Sequence, residues 1–483
     1  MSDKRVFVAQ SDNFYRGVVA GSAGYIAAGQ RLLDQGSGEQ ARAAFEQALA
    51  SGADFMAFHG RGSALLMLGR YAEALADFDA ALGLEPGDIA TIANRSSALQ
   101  GMGRFAEALE GYNRVLAQRP GLAQILYNRS NVLQDMNALD DALTGYSQVL
   151  AQNPADVAAL NNRGNTLMKM RRYRDALADF DTALDLQPDF ASALYNRGRT
   201  LCESGEIAKG FEDFGQAARI LERHGAAGHA PPYKARHDAE QQMWLAAAGL
   251  QVPVTGPLHV EAGVRLAGPA INPANGPAVE RAWQRSDPQL VVIDDLLTQE
   301  ALAALRRFCW ESTIWRKSYS RGYLGAFPES GFACPLLAQI AEEFRTVFPA
   351  IFGAHPLVYL WGFKYDGQLD GIEVHADQAA VNVNFWITPD EANLDPEHGG
   401  LVVWDKAAPL DWDFRKFNAD IPAARDFLRH SGAKPVTIPH RANRAVIFDS
   451  DLFHETDRIR FREGYENRRI NCTLLYGFRS ATG

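Results

Sequence analysis

The chain has 483 residues, of which 47% are hydrophobic and 22% are charged, and its formal net charge is -10. This length predicts two or three domains, and the composition is that of an ordinary globular protein. The negative charge gives no support to a general role in binding nucleic acid.

Four cysteines, Cys202, Cys309, Cys334 and Cys472, are scattered without C-x-x-C spacing. This argues against a disulfide framework or a zinc ribbon and suits a reducing compartment. The first residues lack the apolar core of a signal peptide, and no run approaches 18 apolar residues. We therefore predict a cytoplasmic protein without a membrane span.

After an N-terminal segment, residues 1–21, the pattern A-x3-F/Y-x2-A/V-x4-P recurs with a period of 34 over residues 22–222. The full copies start at Ala74, Ala108, Ala142 and Ala176, and degenerate copies flank them. This pattern resembles the tetratricopeptide repeat, with about six copies. The resemblance implies helix-turn-helix units that stack into an α-solenoid.

An asparagine recurs in four of the predicted first helices, at Asn94, Asn128, Asn162 and Asn196. An amide both donates and accepts hydrogen bonds, which suits contact with a peptide backbone. The set is similar to the asparagine ladder in the tetratricopeptide superhelix of O-linked N-acetylglucosamine transferases. That resemblance implies a protein or peptide substrate in the solenoid groove. The alternative is that asparagine is a consensus residue that supports contacts between repeats.

The next position holds an arginine in five of the predicted first helices, and in three of these copies an aspartate lies sixteen residues after the arginine. The arginines are Arg61, Arg95, Arg129, Arg163 and Arg197. The spacing predicts ion pairs within a repeat. The pairs are Arg61 with Asp77, Arg163 with Asp179, and Arg197 with Asp213. In the other two copies the aspartate is replaced by Gly111 and Gly145, so the pairing covers only part of the array.

Residues 223–288 are rich in Gly, Ala and Pro at both ends, and we interpret them as a linker. Helical spacing over residues 233–250 predicts one helix there, with Met243, Trp244 and Leu245 at its buried end. Residues 251–288 show no clear period, so we expect irregular structure in them.

Residues 289–483 form the predicted C-terminal domain. Thr298 is a candidate N-cap, and a helix is expected over Leu336–Phe348. Short strands with turn signals between them predict a double-stranded β-helix, or jelly roll, with flanking helices, so that the whole chain is a multidomain α+β protein. The predicted strands are Leu290–Ile293, Leu357–Tyr365, Val381–Ile387, Leu401–Trp404, Ala445–Phe448 and Ile470–Phe478.

Three residues of this domain have the chemistry of a metal site. Alternate residues of a strand share a face, so His375 and Asp377 are expected to lie together, and a second strand can deliver His454. Two histidines and one carboxylate on one side of a metal favour non-heme Fe(II). The alternative for an isolated H-x-D is a strand end with a packed histidine and a solvated aspartate.

The H-x-D pair, the distant histidine, the Arg468–Arg469 pair after it and Tyr365 together resemble the 2-oxoglutarate- and Fe(II)-dependent oxygenases. The similarity is to their prolyl-hydroxylase-like branch and covers residues 289–479. It implies Fe(II), 2-oxoglutarate and O2, with His375, Asp377 and His454 as catalytic metal ligands. It also implies that Arg469 and Tyr365 hold the distal carboxylate of 2-oxoglutarate. Arg469 is preferred to Arg468 because it shares a strand face with Asn471 and Thr473.

Two further features are candidates for the same site. Asn382 and Asn384 share one face of a predicted strand, and Asn384 is a candidate cofactor-binding residue if that face points inward. The alternative is that both amides face solvent. A long insert, residues 405–440, is either a lid beside the substrate channel or packing decoration.

The resemblances together imply a dioxygenase that hydroxylates a side chain of a protein or peptide presented by the repeats. Two alternatives remain open: a small-molecule hydroxylase whose repeats bind a partner, and a catalytically silent interaction scaffold. Neither nucleic acid nor a membrane is expected as a partner, and no oligomeric state is indicated.

Overall fold

A computed structural model of the chain describes residues 22–223, 231–260, 263–369 and 371–479. The predicted N-terminal segment, residues 1–21, lies outside the described residues, and so do residues 224–230 and 261–262 of the predicted linker. The chain divides into two compact units, Met1–Pro188 and Asp189–Gly483. None of the helices within the described ranges is long and apolar enough to cross a membrane.

The first unit consists of helices that pack in consecutive pairs. They are α1 (Ala23–Asp34), α2 (Gly38–Leu49), α3 (Phe55–Met67), α4 (Tyr71–Leu84), α5 (Ile89–Gly101), α6 (Phe105–Gln118), α7 (Ala123–Asp135), α8 (Leu139–Gln152), α9 (Val157–Lys169) and α10 (Tyr173–Leu186). The predicted small and aromatic positions form the core, since Ala74, Phe78 and Ala81 are all 0% exposed. Pro86 follows shortly after the end of α4, as the pattern predicts.

Local chemistry determines where the first helix of a repeat begins and ends. The carboxylates of Asp54, Asp88 and Asp156 each accept a hydrogen bond from the backbone N–H three residues later, at 2.8–3.0 Å. The turn after the first helix needs a residue with positive φ, supplied by Gly69 and Gly103 at 72° and 74°. These signals recur with the repeat period.

The predicted ion pairs within repeats are confirmed in this unit, where Arg61–Asp77 and Arg163–Asp179 are both 2.7 Å apart. In a copy that lacks the aspartate, Gly111 replaces it for steric reasons. A Cβ at Gly111 would lie 2.0 Å from Ser96 Oγ.

The second unit begins with another helical pair, α11 (Ala191–Ser204) and α12 (Ile207–Arg223), in which Arg197 and Asp213 form the third predicted ion pair at 2.7 Å. Within this unit α12 packs against α16 (Pro335–Val347), and α11 contacts strand β4 (Leu357–Tyr365). The remaining helices are α13 (Pro232–Ala247), α14 (Gly276–Arg285), α15 (Gln299–Glu311), α17 (Pro349–Phe352), α18 (Phe414–Asn418) and α19 (Ile421–His430).

The rest of the second unit is antiparallel β structure. Besides β4, its strands are β1 (Leu290–Ile293), β2 (Lys317–Ser318), β3 (Tyr323–Ala326), β5 (Gln368–Leu369), β6 (Val381–Trp386), β7 (Leu401–Ala407), β8 (Pro435–Ile438), β9 (Ala445–Asp449), β10 (Leu452–Thr456), β11 (Ile459–Arg460) and β12 (Ile470–Tyr476). A seven-stranded sheet has the order β1-β9-β6-β12-β4-β3-β2, and a three-stranded sheet has the order β10-β7-β8. Trp386 and Phe448 of the larger sheet pack against Leu401 and Ile438 of the smaller, so the two sheets face each other.

Several local predictions hold, and others are wrong. Thr298 caps α15 by accepting a hydrogen bond from the Ala301 N–H at 3.2 Å. The stretch 251–288 is not wholly irregular, because α14 lies within it and buries Trp283. Met243 was expected to be buried in α13 but is 73% exposed. Leu245 is buried, as predicted.

Candidate metal centre

The two histidines of the motif are brought together by backbone pairing. The His375 N–H donates to the His454 carbonyl at 3.0 Å, and the His454 N–H donates to the His375 carbonyl at 2.8 Å. His454 belongs to β10, whereas His375 forms only an isolated bridge. The prediction that His375 and Asp377 lie in a regular strand is therefore wrong, because among the residues around them only His375 is paired in this way.

The three candidate ligands nevertheless converge. One ligand atom from each of His375, Asp377 and His454 can be chosen so that all lie within 4.8 Å of one another. His454 Nε2 is 3.4 Å from Asp377 Oδ2, and His375 Nε2 is 3.9 Å from Asp377 Oδ1. This donor set and spacing fit a divalent transition metal.

Each imidazole is oriented by its other nitrogen. Nδ1 of His375 lies 2.7 Å from the Glu373 carbonyl, and Nδ1 of His454 lies 3.1 Å from the Leu452 carbonyl. A carbonyl only accepts, so each Nδ1 carries the proton and each Nε2 keeps its lone pair for a metal.

Electrostatics favour the protonation states that a metal requires. Burial, reinforced by His454, lowers the pKa of His375 to about 4. Burial alone would raise the pKa of Asp377, but the contacts of its carboxylate with His454, with His375 and with the donating amide of Asn382 lower it overall. Near neutral pH the cluster thus contains a neutral His375 and an ionised Asp377.

The loop between His375 and Asp377 is held by the insert. The Ala376 N–H donates to the Phe417 carbonyl at 3.0 Å, and Asn418 Nδ2 donates to the Ala376 carbonyl at 2.9 Å. The insert, residues 405–440, contains α18, α19 and β8. Sequence reasoning missed this contact because nothing local to the H-x-D motif refers to the insert.

The adjacent arginines have different surroundings. Arg468 forms ion pairs with Glu240 at 2.9 Å and Asp366 at 2.8 Å. Arg469 is 2% exposed and donates to the Gly399 carbonyl at 2.6 Å and the Gly400 carbonyl at 3.0 Å. No carboxylate in the described part of the chain forms an ion pair with Arg469. Burial lowers the pKa of its guanidinium.

Tyr365 and Asn384 lie on either side of β12. The Tyr365 ring centroid is 4.8 Å from the guanidinium carbon of Arg469. Asn384 is 6% exposed and accepts a hydrogen bond from Thr473 Oγ1 at 2.8 Å. Its face points inward, so the alternative of a solvated Asn384 is wrong.

One cavity connects these residues, and six of the candidate site residues line it: His375, Asp377, His454, Tyr365, Asn384 and Arg469. A larger groove of about 710 Å³ shares His375 and Asp377 with it. Its walls include the aromatic residues Tyr319, Phe327 and Trp361. Phe414 of the insert also lines this groove, so the insert borders it; a lid function stays a prediction.

The four asparagines of the repeats are buried, with exposures of 0% for Asn94, Asn162 and Asn196 and 5% for Asn128. Asn162 Nδ2 donates to Tyr127 Oη at 2.9 Å, which links α9 to α7. Asn94 Nδ2 donates to Ser63 Oγ at 3.4 Å. These bonds give the asparagines a role in helix packing, and their contact with a peptide stays a prediction.

Comparison with known proteins identifies the class of the N-terminal region. Family models described as tetratricopeptide repeat match residues 26–89, 65–126 and 157–190. That region is a helical solenoid of tetratricopeptide repeats, a class that mediates protein interactions. It is followed by a C-terminal region of antiparallel β-sheets. No curated protein matches the chain.

Solved structures similar to part of the chain are also repeat proteins. YrrB, described as a TPR protein with an unusual peptide-binding site, is 25% identical and covers 35% of this chain and 88% of its own, with a TM-score of 0.31. A tetratricopeptide repeat protein from Parabacteroides merdae is 18% identical, over 48% of this chain and 93% of its own, with a TM-score of 0.36. TTC0263 from Thermus thermophilus is 21% identical and covers 37% of this chain and 98% of its own, with a TM-score of 0.32.

Proposed function

We propose that the chain is a 2-oxoglutarate- and Fe(II)-dependent dioxygenase that hydroxylates a side chain of a protein or peptide. One observation carries the proposal. The His375, Asp377 and His454 cluster shares a cavity with Arg469, a buried cation that no carboxylate of the described chain neutralises. A buried charge is costly without a partner, so a site with this composition suits an anionic co-substrate.

The strand topology supports a jelly-roll domain. In chain order, β4 and β6 belong to the larger sheet, and the His375 bridge between them pairs with β10 of the smaller sheet. The smaller sheet then receives β7 and β8, and β9, β10 and β12 alternate between the sheets. This alternation across two facing antiparallel sheets is the arrangement of a double-sheet jelly roll.

The residues of the site have separate roles in this proposal. His375 and His454 would present Nε2, and Asp377 a carboxylate oxygen, to Fe(II). Arg469, flanked by the Tyr365 ring, would pair with the distal carboxylate of 2-oxoglutarate through charge-assisted hydrogen bonds. When bound, Fe(II) and 2-oxoglutarate supply oxygen activation for C–H hydroxylation.

The outer groove supports a polymeric substrate. It opens beside His375 and Asp377, and Tyr319, Tyr323 and Tyr359 lie along it. A groove of about 710 Å³ that is partly lined by aromatic rings suits an extended peptide whose target side chain lies beside His375 and Asp377. The repeats would then bind the protein that carries this peptide, in keeping with the role of such repeats in protein interactions.

A second candidate function is a non-catalytic interaction scaffold. The family matches fall on the repeats, and they favour this function directly. A small-molecule hydroxylase that uses its repeats to bind a partner is the remaining alternative.

Succinate formation from 2-oxoglutarate tests the proposal. We expect the full chain with Fe(II) to produce succinate and Asp377→Ala to produce none. Asp426→Ala, which removes an exposed carboxylate of α19, is the control and should keep wild-type activity. A folded wild-type chain that binds protein partners but makes no succinate, with or without candidate peptides, would instead identify a scaffold.

A further inference from the structure

A chain of buried polar side chains leads away from Asp377. Asn382 Nδ2 donates to Asp377 Oδ2 at 2.7 Å, and Asn384 Nδ2 donates to Asn382 Oδ1 at 2.6 Å. Asn382 and Asn384 alternate along β6, so both project from the face that looks toward the smaller sheet. The Asp377 carboxylate is therefore not an isolated ligand.

The chain continues across β12 to Arg469. Thr473 Oγ1 donates to Asn384 Oδ1 at 2.8 Å, and Asn471 Nδ2 approaches the same oxygen at 3.4 Å. Arg469 Nη1 donates to Asn471 Oδ1 at 3.3 Å. The strand register produces these contacts, because Thr473 is paired with Asn384.

The chemistry of the two ends determines the direction of every amide between them. Arg469 can only donate, so Asn471 must present its oxygen to it and direct its NH2 group toward Asn384. The ionised Asp377 can only accept, so Asn382 must direct its NH2 group toward it. Each side chain of the series then directs its donor toward the Asp377 carboxylate. Hydrogen bonds in such a series strengthen one another by mutual polarisation.

We propose that Asn382 is a positioning residue for the metal site and that the side chains behind it keep its amide in the donating orientation. This inference rests on the proposed function only in requiring that a metal binds at Asp377. The bond from Asn382 to Oδ2 fixes the rotation of the Asp377 carboxylate, whose oxygens lie 3.4 Å from His454 Nε2 and 3.9 Å from His375 Nε2. Without Asn382, the carboxylate would be free to rotate and Oδ2 would lose a buried partner.

Metal titration of the full-length chain tests this inference without turnover. The probe is Mn(II), followed by electron paramagnetic resonance in the absence of 2-oxoglutarate. Asn382→Leu removes the donor at similar volume and should weaken Mn(II) binding about 10- to 100-fold. Thr473→Val, an isosteric change one link further away, should weaken it less.

Thr388→Val is the matched control. Thr388 and Thr473 are both 2% exposed, but among the described residues the Thr388 hydroxyl bonds only backbone groups, the Arg468 carbonyl at 3.0 Å and the Ile470 N–H at 2.7 Å. The control should lose some stability and keep its Mn(II) affinity. A change in the Mn(II) spectrum of Asn382→Leu and not of Thr388→Val would further identify an altered ligand geometry.

Unchanged Mn(II) affinity in folded Asn382→Leu, or equal weakening by Thr388→Val, would overturn the positioning role. If Asn382→Leu does not fold, the Mn(II) affinities of Thr473→Val and Thr388→Val are compared instead. Equal affinities would overturn the positioning role, and weaker binding by Thr473→Val alone would support it. A wild-type chain that binds no Mn(II) also overturns it. Failure of the oxygenase proposal is distinct, because a chain that binds Mn(II) and responds to these substitutions while making no succinate from 2-oxoglutarate would have a positioned metal site and another function.

Discussion

His375 and His454 exchange two backbone hydrogen bonds, and their ring centroids lie 4.3 Å apart. Directly opposed residues of an antiparallel pair project their side chains to the same side. A single bridge is therefore sufficient to bring both imidazoles to Asp377, although only β10 is a regular strand there. The candidate centre depends on this pairing more than on the secondary structure of the H-x-D segment.

Arg469→Ala and Arg468→Ala should have different effects. In the proposed oxygenase, Arg469→Ala raises the 2-oxoglutarate requirement strongly, since breaking a buried charge pair typically costs about 3–5 kcal/mol. Arg468→Ala should instead lower the free energy of unfolding by about 1–3 kcal/mol, because Glu240 and Asp366 lose a hydrogen-bonded partner. The KM for 2-oxoglutarate and urea unfolding measure the two effects. An equal rise in KM for both variants would contradict the assignment of Arg469.

His440→Phe should make the protein less sensitive to acid. Burial, followed by the charges of Arg469, Arg444 and Arg306, lowers the pKa of His440 from 6.5 to about 3. Between these values the unfolded chain binds a proton that the folded chain does not, so stability falls as the pH drops from about 6.5 to about 3. Removing the imidazole removes this contribution.

At neutral pH the same substitution should be neutral or stabilising. Neither ring nitrogen of His440 has a hydrogen-bond partner among the described residues, and the ring packs on Phe461 at 5.0 Å between centroids. Urea unfolding at pH 7.5 and pH 5 provides the measurement, with exposed His430→Gln as the control. The free energy of unfolding should depend less on pH in the variant, but some dependence should remain, because the pKa of His375 is also lowered, to about 4. A variant as acid-sensitive as wild type would refute the prediction.

Gly111→Ala should destabilise the repeats, since its Cβ would lie 2.0 Å from Ser96 Oγ. We expect a loss of about 1–3 kcal/mol, typical of overpacking. Adding Ser96→Gly to this variant should restore part of the lost stability. In the copy where Asp77 replaces the glycine of Gly111, the position equivalent to Ser96 is Gly62, which leaves room for the larger side chain. Gly83→Ala, with no atom within 4 Å of the added Cβ, is the control and should be stabilising by about 0.4–1 kcal/mol. Thermal unfolding of the three variants and the wild type decides the result, and a neutral Gly111→Ala would show that the repeat adjusts freely.

Asn128→Ala combined with Asn162→Ala tests the peptide-contact prediction. If both amides hold the substrate backbone, activity on a polypeptide should fall by about 1–3 kcal/mol in kcat/KM, at about 0.5–1.5 kcal/mol per contact. Metal content and substrate-free succinate formation should stay at wild-type values. Asn113→Ala, an exposed asparagine of α6, is the control.

Because Asn162 also bonds Tyr127 and Asn131, circular dichroism and the melting temperature of the double variant must be measured alongside. A folded double variant with unchanged kcat/KM on its polypeptide would leave these asparagines with a packing role alone.

The sequence by itself determined the features that depend on near neighbours. The 34-residue period located the helix pairs, Thr298 was identifiable as an N-cap, and the strand β4 was predicted with its observed bounds. The shared face of Arg469, Asn471 and Thr473 was equally local, since these three residues alternate along the chain. Periodicity reports such features because neighbouring side chains share one local geometry. A cytoplasmic location stays a prediction.

Only the tertiary structure decided which distant segments meet. Three contacts join segments in which no local sequence pattern predicts the contact. They are the pairing of His375 with β10, the backbone bond from Ala376 to Phe417, and the bond from Asn382 to Asp377. The same holds for the burial of Arg469 beneath Gly399 and Gly400. Such contacts result from sheet register and close packing of the whole domain, so they have no periodic signal along the chain.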